Sequence, residues 1–183
     1  MNVTVPSWTI RSEKPGDAAE IERLTAAGFG PGRFAKSAWR LREGVSVVSG
    51  LGFVAEDASG LKGSVRFWPI RIGGQPALLL GPLAVQSDQR GLGIGIALMQ
   101  AGIAAARARA DEFSAMILVG DAPYYGRVGF SPVARGQMTF CGPVDYSRLL
   151  GLSLVDGALE KLSGNIYRAP LDEPVCADSV PLG

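Results

Sequence analysis

The spacing of apolar positions along the chain changes period twice. Between positions 17 and 41 it is helical. Asp17 stands where a helix cap is wanted, Glu20 follows three residues on as in a capping box, and Ile21 and Leu24 supply an apolar stripe. Phe29-Gly30-Pro31-Gly32 breaks that helix, and Phe34, Ala38 and Leu41 share the face of a second short one ending before Gly44. Together the two predict an amino-terminal lobe.

From Gly52 the period is that of strands. Segments 53–55 and 64–72 read as strands joined by the turn Asp57-Ala58-Ser59-Gly60, and Gly73-Gly74 turns the chain into a third. That third segment, 77–85, is apolar almost throughout, which suits a central strand buried on both faces. Gly81-Pro82 interrupts it. Proline has no N–H to give a ladder, so the pair predicts a bulge where the strand parts from a neighbour and leaves room for a ligand.

A helix over 95–109 follows, with Ile96, Met99, Ile103 and Ala106 on one face and Arg107 and Arg109 near its negative end. Segment 115–119 reads as another buried strand, and 137–140, 149–154 and 165–168 as short strands closing the far side. The alternation predicts a mixed α/β sheet in a single domain over 1–170, with a loose tail over 171–183. No internal repeat is present.

Composition narrows the possible chemistry. With 183 residues, 47% hydrophobic and 19% charged, the chain suits one globular domain. Its 18 Lys and Arg are matched by 17 acids and scattered, so no basic stripe points to nucleic acid. No apolar run approaches the ~20 residues of a membrane helix, and the first ten residues do not read as a signal peptide. A cytoplasmic protein without nucleic-acid or membrane partners is expected. Histidine is absent, which removes Ser-His and Cys-His machinery and the commonest zinc ligand, so no metal is expected. Of the two cysteines, Cys141 and Cys176, the first reads as a buried structural thiol, and a disulfide between them is not expected.

The chemistry-bearing stretch runs from Leu83 to Met99, a buried strand passing through a glycine-rich turn into a helix. N–H groups at a helix start lack intrahelical partners and sit at the positive end of the dipole, so the turn is an anion cradle. Gly91, Gly93 and Gly95 fit neither a nucleoside triphosphate loop, which ends in Gly-Lys-Ser/Thr, nor the G-x-G-x-x-G dinucleotide fingerprint. A tight strand-to-helix connection without a ligand is the plainer reading. A second element, Tyr125-Gly126-Arg127-Val128-Gly129-Phe130, lies just beyond the strand ending at Val119.

With both elements in place the sequence resembles the GNAT-type N-acetyltransferase superfamily. Arg90-x-x-Gly93-x-Gly95 after a buried strand is similar to its acetyl-CoA signature, and Tyr125-x-x-x-Gly129-Phe130 to its tyrosine element. Leu80 to Val85, Gly120-Asp121 and Tyr124 to Phe130 resemble the bacterial YhbS-like subgroup. The resemblance implies an α+β fold whose mixed, largely antiparallel central sheet is flanked by helices and splayed between its fourth and fifth strands. It implies acetyl-CoA as co-substrate, with the backbone of Leu83, Ala84 and Val85 pairing with the pantetheine arm. Arg90, Gly91, Leu92, Gly93, Ile94, Gly95 and Ile96 would bind the pyrophosphate.

By the same resemblance Tyr125 is the general acid toward the coenzyme's sulfur. The acceptor is an amine of a small molecule or peptide, attacking directly in a ternary complex. The base is left open among Asp121, Glu56, Asp88 and a water-mediated route, with Asp121 nearest the tyrosine in sequence. Phe29, Arg33, Phe34, Trp39, Phe67 and Trp68 are candidates to line the acceptor pocket. A homodimer is left open, and a non-catalytic acyl-CoA-binding module is the rival reading.

Overall fold

The structure, a computed structural model, describes residues 7–169; the expected tail, with Cys176 in it, lies outside the described residues. The elements in chain order are β1 (Thr9–Ser12), α1 (Ala18–Phe29), α2 (Ser37–Arg40), β2 (Gly52–Asp57), β3 (Gly60–Ile72) and β4 (Gln75–Val85). There follow α3 (Ile94–Arg107), β5 (Ala115–Val119), α4 (Ala122–Tyr125), β6 (Ser131–Pro132) and β7 (Met138–Thr139). The last are β8 (Leu149–Ser153), α5 (Ala158–Lys161) and β9 (Gly164–Arg168). Among the described residues no helix is long and apolar enough to cross a membrane.

The sheet runs in the order β1-β2-β3-β4-β5-β8-β6, and β9 pairs with β3 and β7. Neighbours are antiparallel except β4 with β5 and β7 with β9. The expected mixed, mostly antiparallel sheet with flanking helices is therefore present.

β4 lies at the centre because it is apolar on both faces. Leu78 and Leu80 join the core beneath α3, whereas Ala77 and Leu79 join a second core on the other face with Ile70, Ile117 and Leu159. The expected bulge is present: Val65 pairs with Leu83 and Phe67 with Leu80, so Gly81 and Pro82 together oppose Arg66 alone. One extra residue resets the period of two, and Leu83 and Val85 stay on the α3 side while Ala84 turns toward Ile21 and Leu24 of α1. Two side-chain contacts hold the bulge. Trp68 donates its ring N–H to Gly81 O at 2.6 Å, and Arg66 forks onto Glu13.

α3 starts one residue before the expected position and buries Leu98, Met99, Ile103 and Ala106 against β2 and β3. Each large side chain so buried contributes roughly 1.5–3 kcal/mol relative to exposure. Gly102 is what lets the helix sit this close, since a Cβ there would overlap the ring of fully buried Phe67.

The local signals depart further from the structure than the core pattern does. Asp17 caps no turn of α1: its carboxylate accepts from Arg11 and from the Lys14 backbone N–H, while Glu20 pairs with Arg23. A strong cation nearby outcompeted the capping amides. The expected second helix splits into a 3-10 turn over Pro31–Ala35 and the single turn α2, because Lys36 between them is extended. β1 and β6 are too short for a periodic signal and were not anticipated. The expected strand over 137–140 shrinks to Met138–Thr139.

An alanine in a helix interior ordinarily gains about 1 kcal/mol over glycine. At position 102 the overlap with Phe67 reverses the sign, and Gly102→Ala is expected to destabilise by roughly 1–3 kcal/mol in urea denaturation. An unchanged or raised midpoint would refute the close packing of α3 on Phe67.

Candidate functional site

β4 and β5 run parallel yet pair only at Leu78↔Met116 and Leu79↔Ile117. Beyond those rungs β4 continues to Val85 bonded to β3 on one side, and β5 to Val119 bonded to β8. From Leu80 onward β4 therefore presents an edge that β5 does not pair, and the two strands splay as expected. Backbone groups at such an edge need a partner from elsewhere.

α3 begins at the mouth of this gap. Its first intrahelical bond runs from Ala97 N–H to Gly93 O at 3.0 Å, so the N–H groups of Ile94, Gly95 and Ile96 precede the ladder at the positive end of the helix. Gly91 (φ 81°) and Gly93 (φ 84°) are left-handed, a region that residues with a side chain rarely adopt. A Cβ at either would meet nothing within 4 Å, so conformation, and not crowding, demands these glycines. Gly95 differs: a Cβ there would strike the hydroxyl of Tyr124, which rests against the helix start.

Two clefts result. The first, about 460 Å³, is lined by Leu83, Ala84 and Val85 of β4, by Arg90, Gly91, Gly93, Ile94, Gly95 and Ile96, and by Tyr124, Tyr125 and Arg127. Every residue expected to hold the coenzyme is thus gathered there except Leu92, which is 58% exposed and lines neither cleft. The second, about 390 Å³, lies between the α2 region, the Gly81-Pro82 bulge and the end of β5. Phe29, Leu83, Tyr124 and Tyr125 line both, so the tyrosine pair forms part of the wall where the clefts meet.

The single turn α4 places the pair. Tyr124 and Tyr125 both donate their backbone N–H to Asp121 O, at 3.0 and 3.1 Å. The Tyr125 ring packs on Gly120, where a Cβ would overlap it, and meets Tyr124 and Phe130 edge-on at 5.2 and 6.2 Å. Burial pushes its phenol up to about 12; Tyr124 and Asp121 act in the same direction and Arg148 and Arg42 oppose them. Burial also raises Tyr124.

The carboxylates considered as bases are placed less favourably. Asp121 lines the second cleft, but its side chain is 75% exposed and paired with Arg148 at 3.0 Å. Glu56 is held by Arg11 at 2.7 Å, which lowers its pKa and makes it a weaker base, and it lines neither cleft. Asp88 lies exposed in the turn before α3, also outside both. Of the aromatic candidates, Phe29 and Trp39 line the second cleft. Phe67 is core, Trp68 holds the bulge, and Phe34 is 54% exposed over buried Arg33, which pairs with Glu22.

Cys141, expected as a buried thiol outside any disulfide, lies half-buried in the bend after β7 and is disulfide-bonded, so both expectations are overturned and it offers no free thiol. The strand ended sooner than its apolar run suggested. Arg42 and Arg148, which flank Tyr125 in the second cleft, were not anticipated; nothing in their sequence neighbourhoods marks them.

The GNAT acetyltransferase domain family model matches residues 49–132. The chain is 32% identical over 160 residues to the uncharacterized N-acetyltransferase YhbS of Escherichia coli K12, spanning 85% of this chain and 92% of that protein. In structure it is similar to E. coli YhbS crystallised in complex with CoA, at TM-score 0.75 and 28% identity over 92% of this chain and 93% of the other. It is also similar to a GNAT family acetyltransferase from Brucella melitensis in complex with acetyl-CoA, at TM-score 0.58 and 29% identity, covering 80% and 87% of the two chains.

The raised phenol fixes the sign of one pH effect. An unfolded tyrosine ionises near pH ~10, whereas folded Tyr125 keeps its proton up to about 12. The native state then binds more protons in that window, and stability falls as pH rises through it. Urea denaturation from about pH 9 to about pH 11.5 should show a smaller loss in Tyr125→Phe than in the wild type. Equal losses would mean the Tyr125 phenol is not buried as described.

Proposed function

The chain belongs to the GNAT N-acetyltransferase family, and on that premise we propose that it transfers an acetyl group from acetyl-CoA to a primary amine by direct attack, both substrates being bound at once across the splayed strands. The meeting of the two clefts at Leu83 and the Tyr124-Tyr125 pair carries this reading. It is one wall with an anion cradle on one side and, on the other, a recess lined by both apolar and charged side chains.

The residues present fit the coenzyme. Leu83, Ala84 and Val85 offer a strand edge to its peptide-like arm, a form of strand addition. The N–H groups of Ile94, Gly95 and Ile96 face an anion without needing a lysine, and exposed Arg90 and Arg127 at the cleft add charge. Each charge-assisted bond is worth about 1.5–3 kcal/mol. The bound thioester supplies the activated acetyl carbon; the protein supplies position and a proton.

In the transfer, the amine nitrogen forms a bond to the acetyl carbon as the carbon–sulfur bond breaks. The nitrogen gives up a proton and the departing sulfur takes one from the Tyr125 hydroxyl, which solvent later restores. A phenol held up to about 12 keeps its proton throughout the neutral range, so the acid form is always present. Among the described residues no carboxylate stands buried beside the tyrosine. The ammonium's proton therefore leaves by water to the rim, where Asp121 lies open to solvent.

Two variants separate binding from turnover. Gly93→Asp puts a side chain and a negative charge into a left-handed glycine position at the helix start, and in calorimetry it should weaken acetyl-CoA binding by at least about tenfold. Tyr125→Phe should leave that affinity within about threefold while cutting turnover ~10²–10⁴-fold. A folded wild type that does not bind acetyl-CoA would overturn the cradle, and an unaffected Tyr125→Phe would remove the acid.

A further inference from the structure

The second cleft contains a cation that no acid among the described residues pairs with. Arg42 follows α2 and crosses the wall of the cleft, its guanidinium carbon 4.8 Å from the centre of the Trp39 ring. One terminal nitrogen lies 3.2 Å from where a Cβ on Gly81 would stand, so the group is pressed against the bulge. Its Nε is buried without a hydrogen-bond partner. Burial pushes the guanidinium down to about 9, opposed only by Tyr125, and no carboxylate contributes.

The acids of the cleft are engaged elsewhere. Asp121 pairs with Arg148, and Asp145 accepts from the N–H and hydroxyl of Ser147 at 3.0 and 2.6 Å. Lys36 also lines the cleft, 5.9 Å from the Phe29 ring centre, so Lys36, Arg42 and Arg148 outnumber the two carboxylates. Arg42 as a whole is half-buried, but a cation whose Nε is shut from water without a partner is costly, and a bound anion recovers that cost. The planar fork of an arginine matches a carboxylate in particular. Around it the walls are apolar, with Trp39, Leu80, Leu118 and Val119, and a volume of about 390 Å³ admits a molecule of amino-acid size.

Resting on the transferase reading above, we infer that Arg42 anchors a carboxylate of the acceptor, which is an amine of amino-acid size with an apolar body, held so that its nitrogen faces Tyr125. Arg42 is a specificity residue: it selects among amines and takes no part in breaking the thioester.

The test uses two product-like probes that differ only in the carboxylate, N-acetylphenylalanine and N-acetylphenethylamine, titrated calorimetrically into the CoA-loaded protein. The wild type should bind the carboxylate at least about tenfold more tightly. Arg42→Met should lose that preference while keeping acetyl-CoA affinity within about threefold, which shows the fold and the cradle intact, and Arg42→Lys should retain part of it. Equal binding of the two probes, no binding of the carboxylate at millimolar concentration, or a preference that survives Arg42→Met would each overturn the inference. If the preference depends on Arg42 yet no acetyl group passes to phenylalanine or any other carboxylate-bearing amine, the anion site stands and the transferase reading fails.

Discussion

An unfinished ladder organises this molecule. β4 is bonded along its length to β3 but to β5 at only two positions, because the chain spends an extra residue at Gly81-Pro82 and the strands diverge past it. Backbone groups left open inside a protein must be satisfied. Here the open edge faces a cleft into which α3 directs three further unpaired N–H groups. A defect in the sheet and the start of a helix thus produce one polar surface within an otherwise apolar interior. Trp68 and the Arg66–Glu13 pair keep the defect in a fixed place.

The second consequence of the splay is that a thin partition can separate two recesses. α4 is a single turn, too short to be stable alone, and it is held by Asp121 O and by the packing of Tyr125 on Gly120. That packing withdraws the phenol from water and keeps it protonated. The electrostatics on the two sides differ in kind. On the coenzyme-like side the positive character comes mostly from backbone N–H groups; on the other it comes from side-chain cations, one of which, Arg42, has its Nε buried.

Elements long enough to show a period were legible in advance. α3, β3 and β4 lie within a few residues of where apolar spacing put them, and Gly81-Pro82 announced its own bulge, since a proline cannot complete a buried ladder. Short elements were not. β1 and β6 carry too few residues to display alternation, and Lys36 broke a helix that apolar spacing alone had drawn through it. Asp17 looked like a cap because capping is a local rule, whereas Arg11, which claims its carboxylate, belongs to the neighbouring strand β1.

The sequence by itself determined the strand-turn-helix with its left-handed glycines and the tyrosine element after β5, because both depend on backbone conformations and hydrogen bonds made within a few residues. It also determined what chemistry is absent, since a chain without histidine cannot use one. Only the tertiary structure decided how those pieces meet. That Leu83 shares a wall with Tyr125, that Asp121 is paired with Arg148 at the surface, and that Arg42 keeps a buried Nε with no acid beside it among the described residues all join residues from separate elements. Such contacts are set by how the sheet splays and the helices pack, and no local pattern of residues encodes them.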